Sequence, residues 1–208
     1  MFKHFLPFDV RRAPTAILRW RIGLLFALSL AVLVALMLVT RTLANTVIGD
    51  GTPASCTNAA LQAALNTGGT ITFNCGQAPG NPVTIAITQT LTISGNVTLD
   101  GGAAAEIILD GGDTGSGARS EVGLLNIAAG AQVEVREITL NRAGDSAIRN
   151  DGNLTLHGVE VYYARAFACA GVQSTNRLIV RGQSIISTNQ AETEGGGVCI
   201  LGGTAAFE

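Results

Sequence analysis

At 208 residues the chain has room for one domain of ordinary size, and its charged residues are scarce at 13% beside 26 glycines. Residues 1–44 hold six Lys and Arg against one acid, a net +5, so the remainder holds seven against fourteen, a net −7. That remainder has no Lys and no basic stripe, which excludes the phosphate neutralisation that nucleic-acid binding requires.

The first element is an apolar run from Ile22 to Thr40, 19 residues without a charge. A helix of that length crosses a bilayer core of about 30 Å. Lys3, Arg11, Arg12, Arg19 and Arg21 precede it and only Arg41 follows closely. The asymmetry places the N-terminus inside and everything after residue 40 outside. Residues 1–44 therefore read as a signal peptide or a retained signal anchor. Thr42-Leu43-Ala44 offers a cleavage site that would leave Asn45 first, whereas the length of the apolar run favours an anchor. Arg11-Arg12 stands too far from the apolar run to make a twin-arginine signal.

Residues 45–69 read as a lead-in and a cap helix. Ser55 to Leu65 is the one soluble helix expected: Ser55 or Thr57 caps it, Leu61, Ala64 and Leu65 share a face, and Gly68-Gly69 ends it. Such a helix suits the open first edge of a strand stack. Residues 70–208 then alternate in short β-branched runs divided by Gly, Asn and Pro. Leu99-Asp-Gly-Gly102 and Leu109-Asp-Gly-Gly112 are turns, and Asp113 to Ser120 reads as a loop leaving the stack.

Three segments superimpose: Val133-Glu-Val-Arg-Glu-Ile-Thr-Leu140, Leu154-Thr-Leu-His-Gly-Val-Glu-Val161 and Leu178-Ile-Val-Arg-Gly-Gln-Ser-Ile185. Their starts lie 21 and 24 residues apart. Period-2 alternation inside a repeat of twenty-odd residues is the mark of a solenoid. A second ladder, Ala147-Ile148, Gly171-Val172 and Gly197-Val198, recurs at 24 and 26. The fold class is therefore all-β, a parallel β-helix with three short strands per turn. Val135, Leu156 and Val180 form one interior column. Ile138, Val159 and Ser184 match less well, so a register slip is expected near the third turn. The stack reads as cut short at Glu208, with a longer repeat protein as the expectation.

Gly49-Asp-Gly-Thr-Pro-Ala-Ser-Cys-Thr57, Gly69-Thr-Ile-Thr-Phe-Asn-Cys75 and Gly195-Gly-Gly-Val198 resemble the opening and repeat motifs of bacterial exported right-handed parallel β-helix proteins, pectate-lyase-like in fold. The likeness covers about residues 46–208. It implies export, a cap helix and a surface or adhesive role without catalysis. Other β-helices are polysaccharide lyases or hydrolases, which is the alternative. Partners implied are a cell-surface polysaccharide or other surface proteins, with the membrane engaged through residues 22–40 if the leader is retained.

The chemistry-bearing residues divide as follows. Cys56 and Cys75 flank the cap helix and the first strand and are expected to form a disulfide. Cys169 and Cys199 fall four residues out of step when aligned through Val172 and Val198. That is about 12 Å along an extended strand, too far to bridge on that register, so buried small residues are the preferred reading and a Cys169–Cys199 disulfide is the alternative. His157, aligned with Arg136 and Arg181, reads as a surface residue and not a catalyst. No catalytic residue stands out. Asp100, Asp110, Asp113, Asp145, Asp151, Arg142 and Arg149 would supply a lyase's carboxylate cluster and base, but Asp-Gly is turn chemistry. No cofactor or metal is expected; Ca²⁺ enters only with the lyase alternative, and Asp100, Asp110 and Asp113 would then be its ligands. Tyr162-Tyr163 could stack a sugar, although strand alternation turns one of them inward. The sequons Asn96-Val-Thr98 and Asn153-Leu-Thr155 both fall in expected strands.

Overall fold

The computed structural model describes residues 45–102 and 106–208. The apolar run, its charge bias and its cleavage site lie outside the described residues. Among the described residues no helix is long and apolar enough to cross a membrane.

The chain opens with β1 (Asn45–Ile48), a single 3-10 turn (Pro53–Ser55), α1 (Asn58–Thr67) and β2 (Gly69–Phe73). There follow β3 (Val83–Ala86), β4 (Leu91–Ile93), β5 (Val97–Asp100), β6 (Ile107–Asp110), β7 (Leu125–Ile127), β8 (Gln132–Arg136) and β9 (Ile138–Asn141). The next turns supply β10 (Ile148–Asn150), β11 (Asn153–His157), β12 (Glu160–Tyr162), β13 (Arg165–Ala166), β14 (Val172–Ser174) and β15 (Arg177–Arg181). The last elements are β16 (Ile185–Ser187), β17 (Gln190–Ala191), β18 (Val198–Ile200) and β19 (Thr204–Phe207).

These strands form an all-β parallel solenoid with one α-helix. The first sheet stacks seven strands in the order β1-β2-β5-β8-β11-β15-β19. The second stacks β3-β6-β9-β12-β16, the third β4-β7-β10-β14-β18, and β13 pairs with β17 alone. Each strand bonds to the strand one turn away, so no helical crossover is needed.

Inward residues build the core column by column. Ile71, Leu99, Val135, Leu156 and Val180 stand in register in the first sheet. Leu91, Leu125, Ile148 and Val172 do so in the third. All nine are buried. Full burial of such a side chain contributes about 1.5–3 kcal/mol, so the columns carry the fold. Asn150 and Ser174, paired in register, are polar residues fully buried in the third sheet, and Asn150 is the hub. Its Nδ2 donates to Ser174 Oγ at 2.9 Å and to the Arg177 carbonyl at 3.0 Å, and its Oδ1 accepts from the Gly152 N–H.

The cap helix starts later than the sequence reading placed it. Thr57, not Ser55, is the cap, its hydroxyl accepting from the Ala60 N–H at 3.2 Å; Gly68 at φ 78° ends the helix. Leu61, Ala64 and Leu65 are buried against the stack. The polar side of α1 also closes the β4 edge. Gln62 donates to the Thr92 carbonyl at 2.9 Å and accepts from the Thr92 N–H at 2.8 Å, so its amide substitutes for a missing strand. Asn58 likewise accepts from the Thr88 and Gln89 N–H groups. Cys56 is bonded to Cys75 with Cα atoms 5.7 Å apart, tying the start of α1 to the end of β2.

The expectation for the second cysteine pair is corrected. Cys169 and Cys199 are bridged, with Cα atoms 5.4 Å apart. The expected register holds, Val172 opposite Val198, but the residues before it are not an extended strand. Cys169 sits at φ 57° with its N–H on the Glu194 carbonyl, and Gly195 at φ 53° folds the chain so that Cys199 Sγ lies against it. A side chain at Gly195 would occupy the sulfur's place. The slip expected near the third turn is present: β11 and β15 pair 24 residues apart, Leu156 opposite Val180, whereas β12 and β16 pair 25 apart, Val161 opposite Ile186. Ile185 pairs with Glu160, and the Ser184 hydroxyl accepts from the Val159 N–H while donating to the Arg181 carbonyl. A satisfied hydroxyl thus replaces the aliphatic residue of earlier turns. The expected loop from Asp113 to Ser120 leaves the stack between β6 and β7 and is anchored to it, because Asp113 is buried and Arg119 pairs with Glu192 at 2.8 Å.

In the last turn the inward residues meet solvent: Phe207, in the column of Val180, is 64% exposed against 7% for Val180.

Leu156→Ala removes a mid-column side chain with both neighbours in place and should cost about 2–5 kcal/mol in urea unfolding of the full chain. Gln62→Ala, which only unpairs the β4 edge, should cost about 0.5–1.5 kcal/mol in the same measurement.

Candidate functional site

The second sheet ends, turn after turn, at Asp110, Asn141, Tyr162 and Ser187, which stand in register. The residue after each strand turns the corner towards the third sheet. There Arg142, Tyr163 and Thr188 lie at φ 51°, 54° and 56°. Left-handed backbone is uncommon for residues other than glycine and an outlier for a β-branched one such as Thr188. The hydrogen-bond ladder nonetheless continues through the corner: the Arg142 N–H donates to the Tyr162 carbonyl.

A cavity of about 300 Å³ opens at this corner, lined by Asp113, Thr114, Arg142, Tyr163, Arg165 and Thr188 among others. Its charges are paired. Asp110, outward-facing and buried, accepts Arg142 Nε at 3.0 Å and Nη2 at 2.7 Å, together with the Gly112 N–H at 2.7 Å. Its hydrogen bond and charge hold the Arg142 guanidinium more firmly protonated than usual. Asp113 accepts from the Gly115 N–H at 2.8 Å, the Ser120 N–H at 3.3 Å and Arg165 Nη1 at 3.0 Å. Burial pushes its carboxyl upward, but these donors outweigh burial and hold it below its ordinary 3.8.

Asp110, Asp113 and Arg142 are thus brought together, as a lyase reading of the sequence would need. Asp100 is not with them: it sits at the end of β5, accepting from the Gly102 N–H at 2.9 Å in the turn the Asp-Gly-Gly motif predicts. Asp151 accepts from Thr175 Oγ1 and Arg149 donates to Gln173, both away from the cavity. Asp145 is exposed and lines no part of it. Among the described residues no group of three or more His, Cys, Asp or Glu is placed to hold a metal ion.

Neither tyrosine enters the core. Val161 takes the inward position of β12, Tyr162 faces outward, and Tyr163 lies beyond the strand, 57% exposed, with ring centroids 6.1 Å apart. Desolvation, then Glu160 and Tyr163, push the Tyr162 hydroxyl's pKa up. Alternation misleads here because the corner interrupts it after Tyr162. Arg165 was missed altogether. Its signal is its offset: Tyr163-Ala-Arg165 stands where Arg142-Ala-Gly144 and Thr188-Asn-Gln190 stand in adjacent turns.

The outer face of the first sheet carries a shallower groove of about 280 Å³ over Thr70, Thr98, Glu134 and Thr155. Asn96 and Asn153, the two sequon residues, both line it and are exposed. His157 lies opposite Arg136 and Arg181 as the repeat requires, and those arginines share Glu134 at 3.2 and 2.9 Å. The histidine is half-buried, its ring close over Gly182.

No protein-family model, no curated protein and no solved structure matches the chain.

A carboxyl with a depressed pKa stabilises the fold above its unfolded value, and that contribution is lost as pH falls through the lower, folded value. Asp113 therefore predicts stability that declines below about pH 4. Asp113→Asn should be less stable at neutral pH and show a shallower acid decline, measured as the thermal midpoint against pH.

Proposed function

We propose that the chain is an exported β-helix protein of the cell surface or envelope whose exposed corner binds without catalysis. The observation that carries this reading is the pairing of Asp110 with Arg142 and of Asp113 with Arg165. A general base must shed its proton near the working pH, and a carboxylate engaged by an arginine is a poor one. An arginine serving as lyase base must be neutral, yet Asp110 shifts Arg142 the opposite way. The corner is therefore built to present fixed donors and acceptors. Two disulfides support an oxidising compartment, in keeping with residues after 40 lying outside. A membrane-anchored or secreted form follows from whether residues 22–40 are retained.

A second reading, polysaccharide lyase or hydrolase, is favoured by one observation, the convergence on a cavity of Asp113 and of Arg142, which Asp110 holds. Incubation of the full chain with uronate polymers, with and without Ca²⁺, separates the two. We expect no unsaturated or reducing-end product under either condition; cleavage abolished by Asp110→Asn or Arg142→Lys would establish the enzyme instead.

Thiol labelling tests the compartment. In cells, all four cysteines should resist alkylation until reductant is added, and the protein should fractionate with the envelope or the medium. Free thiols on a cytosolic species would refute export.

A further inference from the structure

We infer that the cavity beside Tyr163 is a subsite for an uncharged sugar ring, an inference that rests on the corner's being a binding surface.

The backbone is the first indication. Arg142, Tyr163 and Thr188 all hold left-handed φ at equivalent corner positions, where glycine or asparagine would sit without strain. The preceding turn places Gly111 and Gly112 at this corner. Strained side chains that persist at one place are a mark of function, and here all three line the same cavity.

The second indication is the ring itself. Tyr163 leaves most of its surface in water although Val161 beside it fills the core position. An exposed aromatic face set against fixed hydrogen-bonding groups suits a ligand with one apolar face and polar edges.

Charge decides the ligand class. Arg142 and Arg165, which line the cavity, are balanced by Asp110 behind it and Asp113 within it, so the pocket has no unpaired cation for an acidic ligand. What remains is neutral hydrogen bonding: the Thr114 and Thr188 hydroxyls, the Gln190 amide, and the Arg142 Nη1 donors that Asp110 does not take. A cavity of about 300 Å³ lies at the small end of ligand sites, the scale of one sugar ring. A pyranose offers axial C–H groups on one face and hydroxyls around its edge, with no charge. Uronate, phosphate and peptide-like anions fit the paired corner poorly.

The test uses the purified full chain against a panel of neutral oligosaccharides of glucose, galactose, mannose and N-acetylglucosamine, with uronate oligomers as the charged comparison. Binding is read by calorimetry and by saturation transfer to the sugar C–H protons. At least one neutral oligosaccharide should bind, and uronate oligomers should bind roughly tenfold more weakly or worse. Tyr163→Asn removes the ring while tolerating left-handed φ, so it should keep the wild-type melting temperature and lose binding by roughly tenfold or more. Tyr163→Phe should bind as the wild type does. No binding across the panel, equal binding by uronates, or binding untouched in Tyr163→Asn would each overturn the inference. A blank panel leaves the export reading standing, because thiol labelling and fractionation test that separately.

Discussion

The molecule depends on inward aliphatic side chains stacking turn upon turn in aligned columns. In a pleated strand a slip of one residue sends every core side chain to solvent, so register is enforced wherever one face is buried. Val97, Val133, Leu154, Leu178 and Ala205 hold one column although they are 36, 21, 24 and 27 residues apart. Strand lengths barely vary, so the extra residues must leave the stack at a corner. In the longest turn they form the segment between β6 and β7; in the turn from Leu154 to Leu178 they lie between β12 and β14. Both excursions leave the same corner, and the cavity lies between them. The rigid interior therefore dictates where a variable surface can be built.

The ends of the stack meet a different demand, because an edge strand exposes unpaired backbone groups. At the first end α1 covers the core with Leu61, Ala64 and Leu65 and satisfies the edge with Gln62 and Asn58. At the last turn Ile200 and Phe207 occupy inward columns yet remain 41% and 64% exposed. The two disulfides follow the same division. One fastens the helical cover to β2, and the other fastens the residues before β14 to β18. Each closes a loop, 19 and 30 residues long, and so restricts the unfolded chain.

How far the sequence discloses this structure depends on whether a residue sits in a column or at a corner. Columns repeat, so Val135, Leu156 and Val180, and Ile148, Val172 and Val198, can be aligned by eye and stand aligned in space. His157 is placed by the same logic. Corners do not repeat, because their length is free and their backbone leaves the extended region. Measuring Cys169 to Cys199 in strand units failed for that reason: left-handed turns at Cys169 and Gly195 fold out the residues that a straight count includes. Tyr163 fails identically, since alternation ends one residue before it. Asp110 and Asp113 were rightly read as turn residues, but a turn motif does not disclose which arginine will fold over it. Arg142 is 32 residues from its partner and Arg165 is 52 from its own.

Those two ion pairs are worth weighing, since their geometry matters more than their energy. Nearly half of the Arg142 side chain is exposed, and pairs in such surroundings contribute from nothing to about 1 kcal/mol. Stability alone is then a weak reason for the pairing. The Asp113–Arg165 pair is more enclosed on both sides, 2% and 21% exposed against 7% and 46% for Asp110 and Arg142, and removing Arg165 would strand a buried charge. Together the pairs immobilise two guanidinium groups at the corner and leave the surroundings electrically balanced. An arginine that must act on a substrate proton needs freedom to lose its own; one that must only orient a ligand needs a fixed plane and unspent donors. Arg142 meets the second requirement, with Nε and Nη2 held by Asp110 and Nη1 left over. The carboxylates at this corner therefore act chiefly by aiming arginines, and the surface they aim at begins with Tyr163.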